Sequence, residues 1–282
     1  MSVSSDVDRS KSHFVVTQRV CVVTGASSGI GRRVALDLAA AGARVCVAAR
    51  REDRLQTLVA EIGGEPAGHS YVVTDVSQRD HVKNLARHVG DTYGRLDVLI
   101  NNAGFSGNER VDGPESVDEV ERVFATNFFG AVYCTAELLP LLEASAPSHV
   151  VNVASMAGRI AVPGNATYAA SKFALVGWTE ALQPDLARRG VYLSSVEPGF
   201  VPTEGFPQKN MVEDRFMKYL LGTDAQVSEA ILDAIENRKP QRVVPRFYYL
   251  FQLPRVLTPG LYRRVLAKVM DSSVGRKAAD FR

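Results

Sequence analysis

"RVCVVTGASSGIGRRVA", residues 19 to 35, decides the fold. An apolar, β-branched run breaks into Gly25, Gly29 and Gly31, and a helical pattern then continues to Ala41 and stops at Gly42. Glycine here permits a tight turn, lets backbone approach a pyrophosphate, and leaves the helix N-terminus free to meet negative charge. The spacing is GxxxGxG rather than the commoner GxGxxG. Its position, directly after a buried strand and before an amphipathic helix, carries the dinucleotide-binding reading.

Working outward, the same alternation recurs along the chain. "ARVCVAA" (43–49), "SYVVTDV" (70–76), "LDVLINN" (96–102), "HVVNVAS" (149–155), "VYLSSVEP" (191–198) and "QRVVP" (241–245) each read, like 19–25, as a strand buried on both faces. Between them lie helices with legible ends: one opened by Ser77, and another introduced by a capping-box pattern of Ser116 and Glu119. Seven strands alternating with helices predict an α/β fold, a Rossmann-like doubly wound parallel sheet with helices on both faces. The expected organisation is a disordered tail over 1–15, one catalytic domain over 16–245, and a basic amphipathic extension over 246–282. The stretch 205–223 lacks a strand, follows the sixth strand, and is expected to serve as a substrate lid.

Composition bounds the function. With 282 residues, 46% of them hydrophobic, the chain can bury a large core. Cys21, Cys46 and Cys134 stand alone in apolar stretches, as reduced core thiols do, which points to a reducing, cytoplasmic setting. Five histidines show no metal-ligand pattern, so no metal is expected. The first thirteen residues lack the apolar segment of a signal peptide, and no apolar run is long enough for a membrane span. Net charge is +2 but uneven: from Arg238 onward stand eleven Lys/Arg and two Asp, leaving 22 basic and 29 acidic residues before that point.

The second strand ends in Ala49 where an NAD site usually carries Asp or Glu, and Arg50 and Arg51 follow. An arginine pair there matches a ribose 2′-phosphate, which favours NADP(H) over NAD(H); the alternative is two solvated arginines. Asp75 either accepts a hydrogen bond from adenine or caps the helix that starts near Ser77.

"TGASSGIG" (24–31), "NNAG" (101–104), "ATNFFG" (125–130), "VASMAG" (153–158), "YAASK" (168–172) and "EPGFVPT" (197–203) stand in the order and at the spacings of the classical short-chain dehydrogenase/reductase family, which the chain resembles from about Arg19 to Pro245. The resemblance implies that Tyr168 is the catalytic acid/base and that Lys172, one helix turn on, favours its phenolate and holds the nicotinamide ribose. It implies that Ser155 hydrogen-bonds the substrate oxygen, and that the Asn127 backbone helps hold a relay water. Ser27, Ser28, Ile30, Val76, Asn102, Ala103 and Gly104 are expected along the nucleotide, and Pro198, Gly199, Val201 and Thr203 around the nicotinamide amide. Glu197, before that proline, departs from the small or apolar residue of many relatives.

The implied activity is NADP(H)-dependent interconversion of a carbonyl and a secondary alcohol, on a hydrophobic small molecule, by a homodimer or homotetramer. A non-catalytic nucleotide sensor or a membrane-docked interaction protein on the same fold is the alternative. Beyond Pro245, Thr258 and Pro259 open a helix whose Leu261, Tyr262, Val265, Leu266, Val269 and Met270 share a face opposite Arg263, Arg264 and Lys268. That face either packs on the body or a second subunit, or lies on an anionic membrane. Nucleic acid fits this aromatic-rich run poorly.

Overall fold

A computed structural model describes residues 14–107, 113–161, 165–204 and 221–271. Seven strands, β1 Val20–Thr24, β2 Arg44–Ala49, β3 Ser70–Val73, β4 Val98–Asn101, β5 Ser148–Val153, β6 Val191–Pro198 and β7 Gln241–Val244, form one sheet. Its order is β3-β2-β1-β4-β5-β6-β7, and every neighbouring pair is parallel. The connectivity reverses between β1 and β4, which opens a crevice beyond their carboxyl ends.

Helices α1 (Gly29–Ala40), α2 (Glu52–Glu61), α3 (Arg79–Tyr93), α4 (Glu115–Phe124), α5 (Gly130–Ala144), α6 (Ala166–Arg188) and α7 (Asp224–Glu236) accompany the sheet. One apolar layer joins Val34 and Leu38 of α1 and Ile231 of α7 to Val23 and Val47; the other joins Leu85 of α3 and Leu138 of α5 to Val22 and Val150. Successive residues of the inner strands thus point into opposite layers, which is why those strands read as unbroken apolar runs. β3 is an exception to the expectation of burial on both faces: it lies at the sheet edge, and Val73 is exposed.

Several local expectations differ from the structure. Phe14, assigned to the tail, is buried, packs edge-on to His149 and donates its N–H to Glu236 O; an aromatic ring has too much apolar area to leave in water beside a core. The Ser116–Glu119 capping box does not form: Pro114 occupies the N-cap, Ser116 Oγ donates to Gly113 O, and Glu119 pairs with Arg122. A full capping box, unanticipated, opens α7 through Thr223 and Gln226. Most of the expected lid lies outside the described residues; of its end, Leu221 bridges to Phe200 and Thr223 caps α7.

The extension forms α8 (Tyr249–Leu257) and α9 (Pro259–Asp271), reached through a short turn at Arg246–Tyr248. Among the described residues, no helix is long and apolar enough to cross a membrane.

Candidate active site

A cavity of about 730 Å3 opens at the carboxyl ends of β1, β4, β5 and β6. All the site residues expected from sequence line it except Gly31 and Asn127. Gly31 stands behind the glycine turn, where a Cβ would come within 2.4 Å of Asn102 Nδ2 and 2.5 Å of Gly25 O. Only a residue without a side chain lets α1 approach so closely, while Gly25 and Gly29 take φ of +65° and +54°. Ser28 is the N-cap of α1 but makes no side-chain cap bond; its hydroxyl takes a 2.8 Å bond from Arg51 Nη2. The first turn of α1 therefore lacks a side-chain cap and faces the cavity, an arrangement that fits a diphosphate.

Arg51 is braced further by Ser27 Oγ at 2.9 Å and Glu204 Oε1 at 2.7 Å. Glu204 also pairs with Arg54, and the two guanidinium groups hold its carboxyl below the usual range. Arg50 is exposed at the cavity edge. Asp75 lines the cavity but does not cap α3, and Ser77 does not open it: the N-cap is Gln78, without a side-chain cap bond. Asp75 Oδ1 instead accepts from Ser77 N at 3.0 Å and Ser77 Oγ at 2.7 Å in a local turn before the helix.

The reacting side chains come from β5 and α6. Ser155 follows the last residues of β5, and its Oγ accepts from Ala157 N at 3.1 Å, closing a short turn over Met156–Gly158. A Cβ on Gly158 would lie 2.6 Å from Lys172 O, so this turn rests directly on the α6 backbone. That contact brings Ser155 within hydrogen-bonding reach of Tyr168. Lys172, only 4% exposed, donates from Nζ to Val153 O at 2.9 Å and stands 5.7 Å from the Tyr168 ring centroid.

Burial pushes the Tyr168 hydroxyl up to about 12, although the Ser155 bond pulls the other way, and burial pulls Lys172 down to about 8. In the protein itself, desolvation outweighs the lysine's expected pull toward phenolate, and the phenol keeps its proton at neutral pH.

Asn127 lies in a π-helical turn, Ala125–Phe129, between α4 and α5. Its side chain is buried: Oδ1 accepts from Phe105 N at 3.0 Å, and Nδ2 donates to Phe105 O at 2.9 Å and Ser171 Oγ at 3.1 Å. The extra residue of a π turn frees backbone groups locally, and here the side chain ties the segment after β4 to α6.

Glu197 is fully buried and bonded on both carboxylate oxygens, to Arg159, Ser195 and Gln241. An acid can replace the usual small residue here because Arg159 arrives from the Ser155 turn with a matching fork. Sequence reading had no account of this pair, because its partners lie 38 residues apart. The extension supplies Tyr248, Phe251 and Tyr262 to the cavity wall. Their aromatic character was legible; their place beside Met156, Ile160 and Phe200 was not.

The family description that matches residues 19–214 is short chain dehydrogenase. The chain is similar to dehydrogenase/reductase SDR family member 7B of Danio rerio, 33% identical over 93% of this chain and 89% of that one. It is also similar to an uncharacterized oxidoreductase of Staphylococcus aureus (strain MRSA252), 31% identical over 80% of this chain and 94% of the relative. A crystal structure of a short chain dehydrogenase/reductase from Burkholderia phymatum, in complex with NAD, superposes with a TM-score of 0.77 at 26% identity, covering 88% of this chain and 96% of that one.

Proposed function

Since the chain belongs to the short-chain dehydrogenase/reductase family, we propose that it is an NADP(H)-dependent oxidoreductase that reduces a hydrophobic carbonyl compound to its secondary alcohol. The observation that carries this reading is the Ser155–Tyr168 hydrogen bond beside buried Lys172, in the same cavity as the glycine turn. A bound nicotinamide supplies the hydride. Ser155 Oγ, fixed by its turn, donates to the carbonyl oxygen where negative charge develops. Tyr168, which holds its proton at neutral pH, delivers it to that oxygen. Lys172, positioned by Val153 O, stabilises the phenolate left behind.

The NADP(H) preference rests on Ala49, which offers no carboxylate at the end of β2, and on exposed Arg50 beside a braced Arg51. The hydrophobic substrate class rests on the wall built by Met156, Ile160, Phe200, Tyr248, Phe251 and Tyr262.

The test is a panel of apolar ketones followed by NADPH absorbance, with NADH in parallel. Turnover with NADPH well above that with NADH supports the reading. Tight NADPH binding with no turnover across the panel would favour a nucleotide sensor instead.

A further inference from the structure

Helix α8 is built inside out. Its polar side chains face the body: Gln252 Nε2 meets Met156 Sδ at 4.0 Å, and Arg255 donates to Arg159 O with its guanidinium 4.6 Å from the Phe173 ring centroid. Its apolar side chains face outward, with Leu250 66%, Leu253 51%, Val256 75% and Leu257 72% exposed. At 100° per residue Leu250, Leu253 and Leu257 fall on the side opposite Gln252 and Arg255, and Val256 sits at the edge of that strip, next to Gln252. On α9, Leu261 and Val265 are likewise exposed. A helix on a water-facing surface shows the reverse polarity, and a contiguous apolar patch marks an interaction site.

The charge around the patch identifies the occupant. No Asp or Glu occurs between Pro245 and Met270, whereas Arg246, Arg263, Arg264 and Lys268 are all exposed. An apolar strip on helices that carry exposed cations and no acid before Asp271 is complementary to anionic headgroups above an acyl layer. A second copy meeting the same face about a two-fold axis would set one basic rim against another.

We propose that α8 and α9 dock on an anionic lipid bilayer, with α8 lying in the interface plane and its Leu250, Leu253, Val256 and Leu257 face in the acyl boundary. Phe251 and Tyr262, on the same two helices, line the cavity, so the lipid-facing surface and the cavity wall are two sides of one helical pair.

Flotation of the full chain with vesicles tests this without any turnover assay. The protein is expected to float with phosphatidylcholine vesicles containing about one part in five phosphatidylserine, and to float less in high salt or with phosphatidylcholine alone. Leu253→Glu with Val256→Glu, at exposed positions, should weaken partition at least about tenfold while leaving circular dichroism and the thermal midpoint unchanged. Arg263→Gln with Arg264→Gln should abolish the preference for phosphatidylserine but retain the fold. Wild-type protein that stays at the bottom of the gradient, or floats equally after the Leu253 and Val256 changes, overturns the proposal. So does a concentration-dependent dimer that the same two changes dissolve in the absence of vesicle binding, because a second copy would then cover the face.

Discussion

Arg159 holds Glu197 with both arms of its guanidinium, Nε 3.0 Å from Oε2 and Nη2 2.7 Å from Oε1. Arg159 follows the Ser155 turn, and Glu197 precedes Pro198 in the loop expected around the nicotinamide. The pair therefore joins the two walls of the reacting end, and Glu180 on α6 adds a third contact to Arg159 at 2.6 Å. Removing only the acid leaves the mostly buried guanidinium with Glu180 alone and deprives Ser195 and Gln241 of their acceptor. Glu197→Ala is expected to cost about 2–3 kcal/mol in urea unfolding. The double change Glu197→Leu with Arg159→Met should recover much of that loss. A single substitution that costs nothing would show that the pair does not hold the walls together.

Tyr168→Phe should lower carbonyl reduction by about a hundred- to ten-thousandfold while leaving NADPH affinity, read by fluorescence titration, within about twofold. In the wild type, Lys172 is charged below about 8 and neutral above it. The ammonium stabilises the phenolate that reduction leaves on Tyr168, so kcat/KM for reduction is expected to fall as pH rises through that value. A profile that rises over the same interval contradicts the role assigned to Lys172.

Gly158→Ala places a methyl group 2.6 Å from Lys172 O and pushes the Ser155 turn away from α6. Displacement by a fraction of an ångström to an ångström is expected to reduce kcat about a hundredfold with little change in NADPH affinity. Gly177→Ala is the control: it lies on the same helix with open space at its Cβ, and should raise stability by about 0.5–1 kcal/mol with activity intact.

Arg50→Ala removes an exposed cation from the cavity edge without disturbing Arg51, which Ser27 and Ser28 brace. Loss of a charge-assisted bond to a 2′-phosphate should weaken NADPH binding about ten- to hundredfold and leave NADH binding unchanged. Isothermal titration with both nucleotides reads this directly; equal loss for the two would assign Arg50 to something other than the phosphate.

His149 is buried at the start of β5, with Nε2 2.7 Å from Ser194 Oγ, and burial followed by the Arg238 charge pulls its pKa down to about 3. The unfolded chain takes up that proton near 6.5, whereas the folded chain resists until about 3. The folded state therefore loses stability as pH falls across this window, on the order of 2 kcal/mol between pH 7 and 5. His149→Gln should flatten that part of the pH dependence in urea unfolding. An unchanged slope would mean that His149 titrates in the folded protein.

The inner strands were legible almost to the residue because a strand covered on both faces has no alternative to a β-branched apolar run, as in "VCVVT" and "SHVVNV". Edge position was not legible: "SYVV" has the same composition, and only pairing on one side alone leaves Val73 exposed. Caps were misread where a proline intervened, since Ser116 lies inside the helix that Pro114 opens. Phe14 was lost to the polar run before it.

The sequence by itself determined the alternation of strands and helices, the glycine turn and the pairing of Tyr168 with Lys172, because local spacing along a strand or helix places these groups on one side of one element. The order of the strands in the sheet and the approach of Ser155 from β5 to α6 came from the tertiary structure. Tertiary structure alone decided what surrounds them. The bond between Glu197 and Arg159, the closure of Tyr248, Phe251 and Tyr262 over the reacting end, and the outward turn of Leu253 and Val256 all depend on partners distant in the chain. A helix's periodicity specifies that it has an apolar face; whether that face meets the core or the surroundings is set by what packs against its other side, which for α8 is Met156, Arg159 and Phe173.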